Sequence, residues 1–214
     1  MMRLHSRNVM TGLAICTVMS LVGCGVAKLP ENVESNSLVI DQSGTVTSYT
    51  LGVFDREYYD LGELETMGRE EVAAYNTAHQ KGEDTPLVLE KVEEVSEGEG
   101  LVMVSYRYDS AETYQTYNER TLFYGTVEQA VSAGYDFVCV NQVLMDPKGQ
   151  KSMVASGLQN MTKKHVILLE EATRVYCPYK VAYFSENAKA LEDGSIDTTG
   201  IFAEEYPVII VLDK

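Results

Sequence analysis

From residue 37 onward the chain is a succession of short apolar runs separated by turn-forming residues, the pattern of strands joined by hairpins. Leu38-Val39-Ile40 and residues 46–54 are β-rich and flank Asp41-Gln42-Ser43-Gly44, which predicts one hairpin. Residues 87–95 and 101–108 predict another, around Ser96-Glu97-Gly98-Glu99-Gly100. In its return strand Val102, Val104, Tyr106 and Tyr108 alternate with Met103, Ser105 and Arg107, as in a strand with one buried face. Further strands are expected at 121–124, 135–144, 166–170, 174–185 and 206–212. The last is apolar almost throughout, which suggests a central position in its sheet. Asp146-Pro147-Lys148-Gly149 reads as a turn, and residues 151–161 fit either a loop or a short helix.

Three helices interrupt this pattern. Leu61, Leu64, Gly68, Val72, Tyr75 and His79 recur at helical spacing, Asp60 stands where an N-cap belongs, and Gly82 lies just past the end, so a long helix is predicted over 61–79. Ser110 opens a short helix through Tyr117. Thr126 followed by Gln129 is a capping-box spacing that starts another, with Gly134 as its stop. Hairpins dominate and βαβ units are few. The expected fold is therefore α+β, a largely antiparallel sheet built from hairpins, with one long and one or two short helices packed on one face.

The first residues follow a different rule. Arg3 and Arg7 are followed by a stretch without charge from residue 8 to 27, with an apolar core of about 14 residues over 9–22. That is short for a membrane-spanning helix of about 20 residues and suits the core of a signal peptide. It ends in Leu21-Val22-Gly23-Cys24. These four residues resemble the lipobox of bacterial lipoproteins. The resemblance implies cleavage between Gly23 and Cys24, a diacylglyceryl group on the Cys24 thiol, and residence on the extracytoplasmic face of the bacterial cell membrane. The expected organisation is a lipoprotein signal peptide at 1–23, the lipidated cysteine and a flexible tether at 24–36, and a single globular domain at 37–214. Gly25 follows the cysteine, so the Asp resembling a Gram-negative inner-membrane retention signal is absent. The segments Tyr58-Tyr59-Asp60-Leu61-Gly62-Glu63-Leu64 and Leu122-Phe123-Tyr124-Gly125-Thr126-Val127-Glu128-Gln129-Ala130 are similar to uncharacterised cell-surface lipoproteins of Gram-positive anaerobes. That resemblance implies location and no activity.

Charge narrows the partners. The leader carries two basic residues and no acid, so the net charge of −15 for the whole chain becomes −17 without residues 1–23. Nucleic acid and electrostatic docking on anionic lipid are disfavoured, and membrane affinity would come from the lipid, since two acyl chains at about 0.8 kcal/mol per methylene hold stably where one is marginal. Trp is absent and there are 14 Tyr. They suit half-buried sheet positions whose hydroxyls reach water, and equally a stacking platform for a sugar or a peptide. After Cys16 leaves with the leader and Cys24 is lipidated, Cys139 and Cys177 remain in apolar runs. Burial as free thiols is the expectation, with a disulfide permitted by an oxidising compartment.

Candidate chemistry is sparse. No metalloprotease, nucleophile-elbow, P-loop, dinucleotide or EF-hand motif occurs, so no catalytic residue, cofactor or metal ligand is assigned. His79 falls at a helix end, where its charge suits the helix dipole, and His165 follows Lys163-Lys164 with a surface position expected. Glu90, Glu93, Glu94, Glu97 and Glu99 form the densest acidic cluster, readable as a solvated hairpin edge or as a weak calcium site. Asn160-Met161-Thr162 matches a glycosylation acceptor, incidental in a bacterial lipoprotein. The reading is thus a membrane-anchored binding or interaction module for a small molecule, a wall fragment or a protein. The alternatives are an accessory envelope protein acting through protein partners, and an enzyme with an unrecognised site.

Overall fold

The computed structural model describes residues 28–29, 33–56, 58–79, 85–96, 100–138, 142–201 and 207–214. The leader with Gly23 and Cys24, the helix stop at Gly82, the acids Glu97 and Glu99, and Cys139 lie outside these residues. Both predicted hairpins form, as β1 (Ser37–Ile40) with β2 (Val46–Val53), and β3 (Leu87–Ser96) with β4 (Leu101–Tyr108). The first turn is held by the Asp41 carboxylate, which accepts from Ser43 N–H at 2.7 Å and Thr45 N–H at 3.0 Å, with Gly44 at φ 94°. The long helix α1 (Leu61–His79) starts as expected, with Asp60 Oδ1 accepting from Glu63 N–H at 2.8 Å. It packs on β3 through Gly68, whose bare Cα face lies close to Leu89 and the Tyr106 hydroxyl. Asn76 pins the helix to the sheet: its side-chain amide donates to Leu87 C=O at 2.8 Å and accepts from Leu87 N–H at 3.1 Å.

The short helices are α2 (Ala111–Asn118), capped by Ser110, and α3 (Val127–Ser132), opened by a complete Thr126–Gln129 capping box. The remaining strands are β5 (Leu122–Thr126), β6 (Val143–Met145), β7 (Ser152–Val154), β8 (His165–Leu169), β9 (Arg174–Tyr176), β10 (Val181–Ser185), β11 (Lys189–Ala190), β12 (Ile196–Asp197) and β13 (Val208–Leu212). A 3-10 helix, Ala155–Asn160, occupies most of the stretch that fitted a loop or a helix.

The strands form two sheets. The first has the order β11-β12-β9-β1-β2-β4-β3 and the second β5-β8-β13-β10-β6-β7. Among the described residues only β1 with β9 is a parallel pair, so the α+β, largely antiparallel architecture stands. The main core lies between the sheets: Leu38, Ile40, Val46 and Tyr108 from the first meet Ile167, Leu169, Ile210 and Leu212 from the second. A second core covers the far face of the second sheet, where Val166, Leu168, Ile209 and Val211 pack under Val127, Ala130, Phe137 and Leu158. β13 is buried at every position and central in its sheet.

Four expectations change. The run at 174–185 is two strands in two sheets: β9 belongs to the first and β10 to the second, and the chain crosses between them at 177–180, where Pro178 has no N–H for a ladder. Among the described residues of the run at 135–144, strand is found at β6. The start of the run is a turn in which Asp136 Oδ1 takes Val138 N–H at 2.8 Å, while Phe137 plugs the second core. Strand β4 buries more than one face, since Met103 and Ser105 are covered along with Val102 and Tyr108. Residues 33–36, at the end of the expected tether, are docked rather than free. Val33 is buried in a depression it shares with Met103 and Leu101, and Asn36 accepts from Leu51 N–H at 2.9 Å and from Arg174 N–H at 2.9 Å.

Candidate functional site

A depression of about 720 Å³ lies where the two sheets meet, over strand β5 at the edge of the second sheet. Segments distant in sequence build it. The β1–β2 turn contributes Gln42, Ser43 and Gly44; the end of β4 and the start of α2 contribute Asp109, Glu112 and Gln115; β5 contributes residues 122–125; and His165 and Lys214 close one end. Phe123 and Tyr135, whose rings lie 5.3 Å apart, line the α3 side. Gly125 makes this wall possible, because a Cβ there would stand 2.8 Å from Gln129 Oε1 and 2.9 Å from the Phe123 ring. The volume falls within the range of small-molecule and peptide sites.

Tyr124 and His165 are the polar residues at the junction. Register explains why they share a face: Tyr124 pairs with Ile167 across β5 and β8, and His165 stands two residues from Ile167. Their ring centroids are 5.8 Å apart, and the His165 ring also lies 6.4 Å from that of Tyr179. Tyr124 Oη and His165 Nδ1 are buried and have no protein hydrogen-bond partner. Burial, then the neighbouring Tyr179 and Asp41, push the Tyr124 phenol up to about 12. Burial and the nearby Lys214 charge hold His165 below the usual imidazole value, so it is neutral at neutral pH. The site therefore presents a neutral imidazole and a neutral phenol behind an acidic rim formed by Asp109 and Glu112, with Lys214 over the Tyr179 ring at 4.7 Å.

The sequence-predicted residues are not gathered here, His165 excepted. That residue is half-buried rather than on the surface, because Tyr124, Tyr179 and Lys214 cover it. His79 is exposed at the end of α1, with Nδ1 2.9 Å from Tyr75 O and its ring stacked on Tyr75 at 4.1 Å. Cys177 is a buried free thiol pushed up to about 12 by desolvation. Of the acidic cluster, Glu90 pairs with Arg107 at 3.0 Å and Glu93 with Lys91 at 2.5 Å. Among the described residues no group of three or more His, Cys, Asp or Glu is arranged to hold a metal ion.

Five of the 14 tyrosines have a different task. Tyr75, Tyr106, Tyr108, Tyr114 and Tyr117 form a continuous cluster between α1, α2 and the first sheet, with neighbouring ring centroids 5.0 to 6.5 Å apart. Tyr108 is 1% exposed and its hydroxyl meets Ser48 Oγ at 3.3 Å; Tyr114 donates to Glu171, and Tyr117 to Glu71 at 3.3 Å. These hydroxyls bond protein groups and the rings pack on one another between the layers, so this cluster is interlayer packing. Tyr58, 76% exposed, forms a separate aromatic lip with Tyr59 and Phe54 ahead of α1.

Among the described residues no helix is long and apolar enough to cross a membrane. The chain matches no protein-family profile, no curated protein and no solved structure. The cleft residues carry no motif that sequence reading could have found. The sole local signal is Gly125 inside a strand, which marks a close approach of neighbouring groups.

Proposed function

We propose that this protein is a lipid-anchored binding module on the extracytoplasmic face of the bacterial membrane, and that the cleft over β5 is its binding surface. The cleft itself carries the reading: it is concave, partly apolar, and holds buried hydrogen-bonding atoms with no protein partner. Its position supports display. Residue 33, where the chain arrives from the lipobox-like segment, lies beside Leu101 and Met103 at one end of β4, while Asp109, just past the other end, borders the cleft. Eight strand residues separate these ends by about 24 Å, so residue 33 and the cleft lie towards opposite ends of β4.

Fractionation of cells expressing the full chain tests the anchor. The Cys24→Ser variant is expected in the soluble fraction without incorporated lipid label, and the parent in the membrane with it. Leader cleavage with continued membrane residence of the variant would contradict the reading.

A further inference from the structure

We propose that the ligand is an extended peptide segment bearing a basic residue, which adds to β5 as a further strand of the second sheet. This rests on the cleft being a binding site and specifies what fills it.

The backbone of β5 carries the argument. Thr121 C=O accepts from Glu170 N–H at 3.1 Å and Val127 N–H donates to Lys164 C=O at 2.9 Å, so residues 121, 123, 125 and 127 point their peptide groups at β8. Alternation turns Leu122, Tyr124 and Thr126 the other way, into the cleft. The Thr126 N–H is taken by Gln129 Oε1 at 2.8 Å. Leu122 and Tyr124 keep both N–H and C=O without a protein partner among the described residues. That leaves two donor–acceptor pairs at the two-residue repeat of a strand, about 6.8 Å apart, the spacing of an extended peptide.

The other sheet edges are defended and β5 is not. β3 carries Glu90, Lys91, Glu93 and Glu94 and two register shifts; β11 is two residues long; and β7 is three residues long and follows Lys151. β5 has the sequence Leu-Phe-Tyr-Gly-Thr, with no charge, no proline and no bulge, and it lies at the bottom of the cleft. Charge selects the side chains, since Asp109 and Glu112 stand on the wall facing the incoming strand and the chain as a whole is at −15.

The test uses the full-length protein in detergent and a random library of roughly seven-residue peptides, followed by N-methylation of enriched peptides one amide at a time. Expected are basic peptides whose affinity falls about tenfold on N-methylation at alternate positions and changes less than about twofold at the positions between. The Leu122 and Tyr124 amides are expected to gain protection from hydrogen exchange. Peptides that lose binding on Glu112→Lys but tolerate N-methylation everywhere would overturn strand addition and leave the cleft reading intact. Failure to enrich any peptide also overturns strand addition. Peptides that protect amides away from β5 and ignore Glu112→Lys would count against both.

Discussion

Gln129 and Thr126 exchange two hydrogen bonds: Gln129 N–H donates to Thr126 Oγ1 at 3.2 Å, and Thr126 N–H donates to Gln129 Oε1 at 2.8 Å. The pair does two jobs. It satisfies the first turn of α3, and it closes the last outward-facing amide of β5, which sets where the open part of that edge stops.

Removing the hydroxyl separates these roles. Thr126→Ala is expected to destabilise the protein by about 1 kcal/mol, lowering the melting temperature by roughly 2–4 °C. Thr126→Ser is expected to restore most of it. Thermal unfolding followed by circular dichroism reads both, and an unchanged midpoint for Thr126→Ala would mean that the cap is not formed.

Two glycines of nearly equal backbone geometry provide an internal comparison. Gly100 has φ 63° and Gly149 has φ 66°. A Cβ at Gly100 would stand 2.5 Å from Phe54 O, whereas at Gly149 nothing lies within 4 Å. Gly149→Ala is expected to cost about 1–2 kcal/mol, the left-handed penalty alone. Gly100→Ala should cost more, because the hydrogen bond from Phe54 N–H to Gly100 C=O must also give way. Urea denaturation of the two variants tests this, and equal midpoints would contradict it.

His165 predicts a pH dependence. Its folded-state value lies below the unfolded value near 6.5, so between the two the unfolded chain binds more protons and stability rises with pH. The contribution is full above about pH 6.5 and is lost as the pH falls below it. The carboxylates held low, Asp146 by Lys151 and Gln150 N–H groups and Asp213 by Lys164, lose their contribution further into acid. His165→Gln is therefore expected to flatten the melting-temperature profile just below about pH 6.5 while leaving the steeper acid limb in place. An unchanged profile there would show that His165 does not titrate as described.

Local physics made much of this fold legible. The Asp41 turn, the Asp60 cap, the Ser110 and Thr126 caps and the apolar β13 are each decided by residues within a few positions of one another. What sequence order conceals is partnership. Nothing near Cys177-Pro178 tells that β9 and β10 belong to different sheets, because that depends on β1 accepting β9 as a parallel neighbour some 135 residues away. The apolar run around Phe137 satisfies its hydrophobicity as a plug, which periodicity does not distinguish from a strand. The cleft was hidden for the same reason: Gly44, Glu112, Tyr124, His165 and Lys214 become neighbours only after two sheets close on each other. His165 read as a surface residue because the lysines before it dominate its local sequence, while the residues that bury it lie elsewhere in the chain.

Hydrogen exchange of the full-length protein with and without soluble envelope fragments, peptide and glycan fractions added separately, tests most directly the claim that the cleft is the binding surface. The account predicts slowed exchange concentrated at residues 42–44, 122–125 and 165, from the peptide fraction. Protection confined to the Tyr58–Tyr59 lip, or no protection by either fraction, would contradict it.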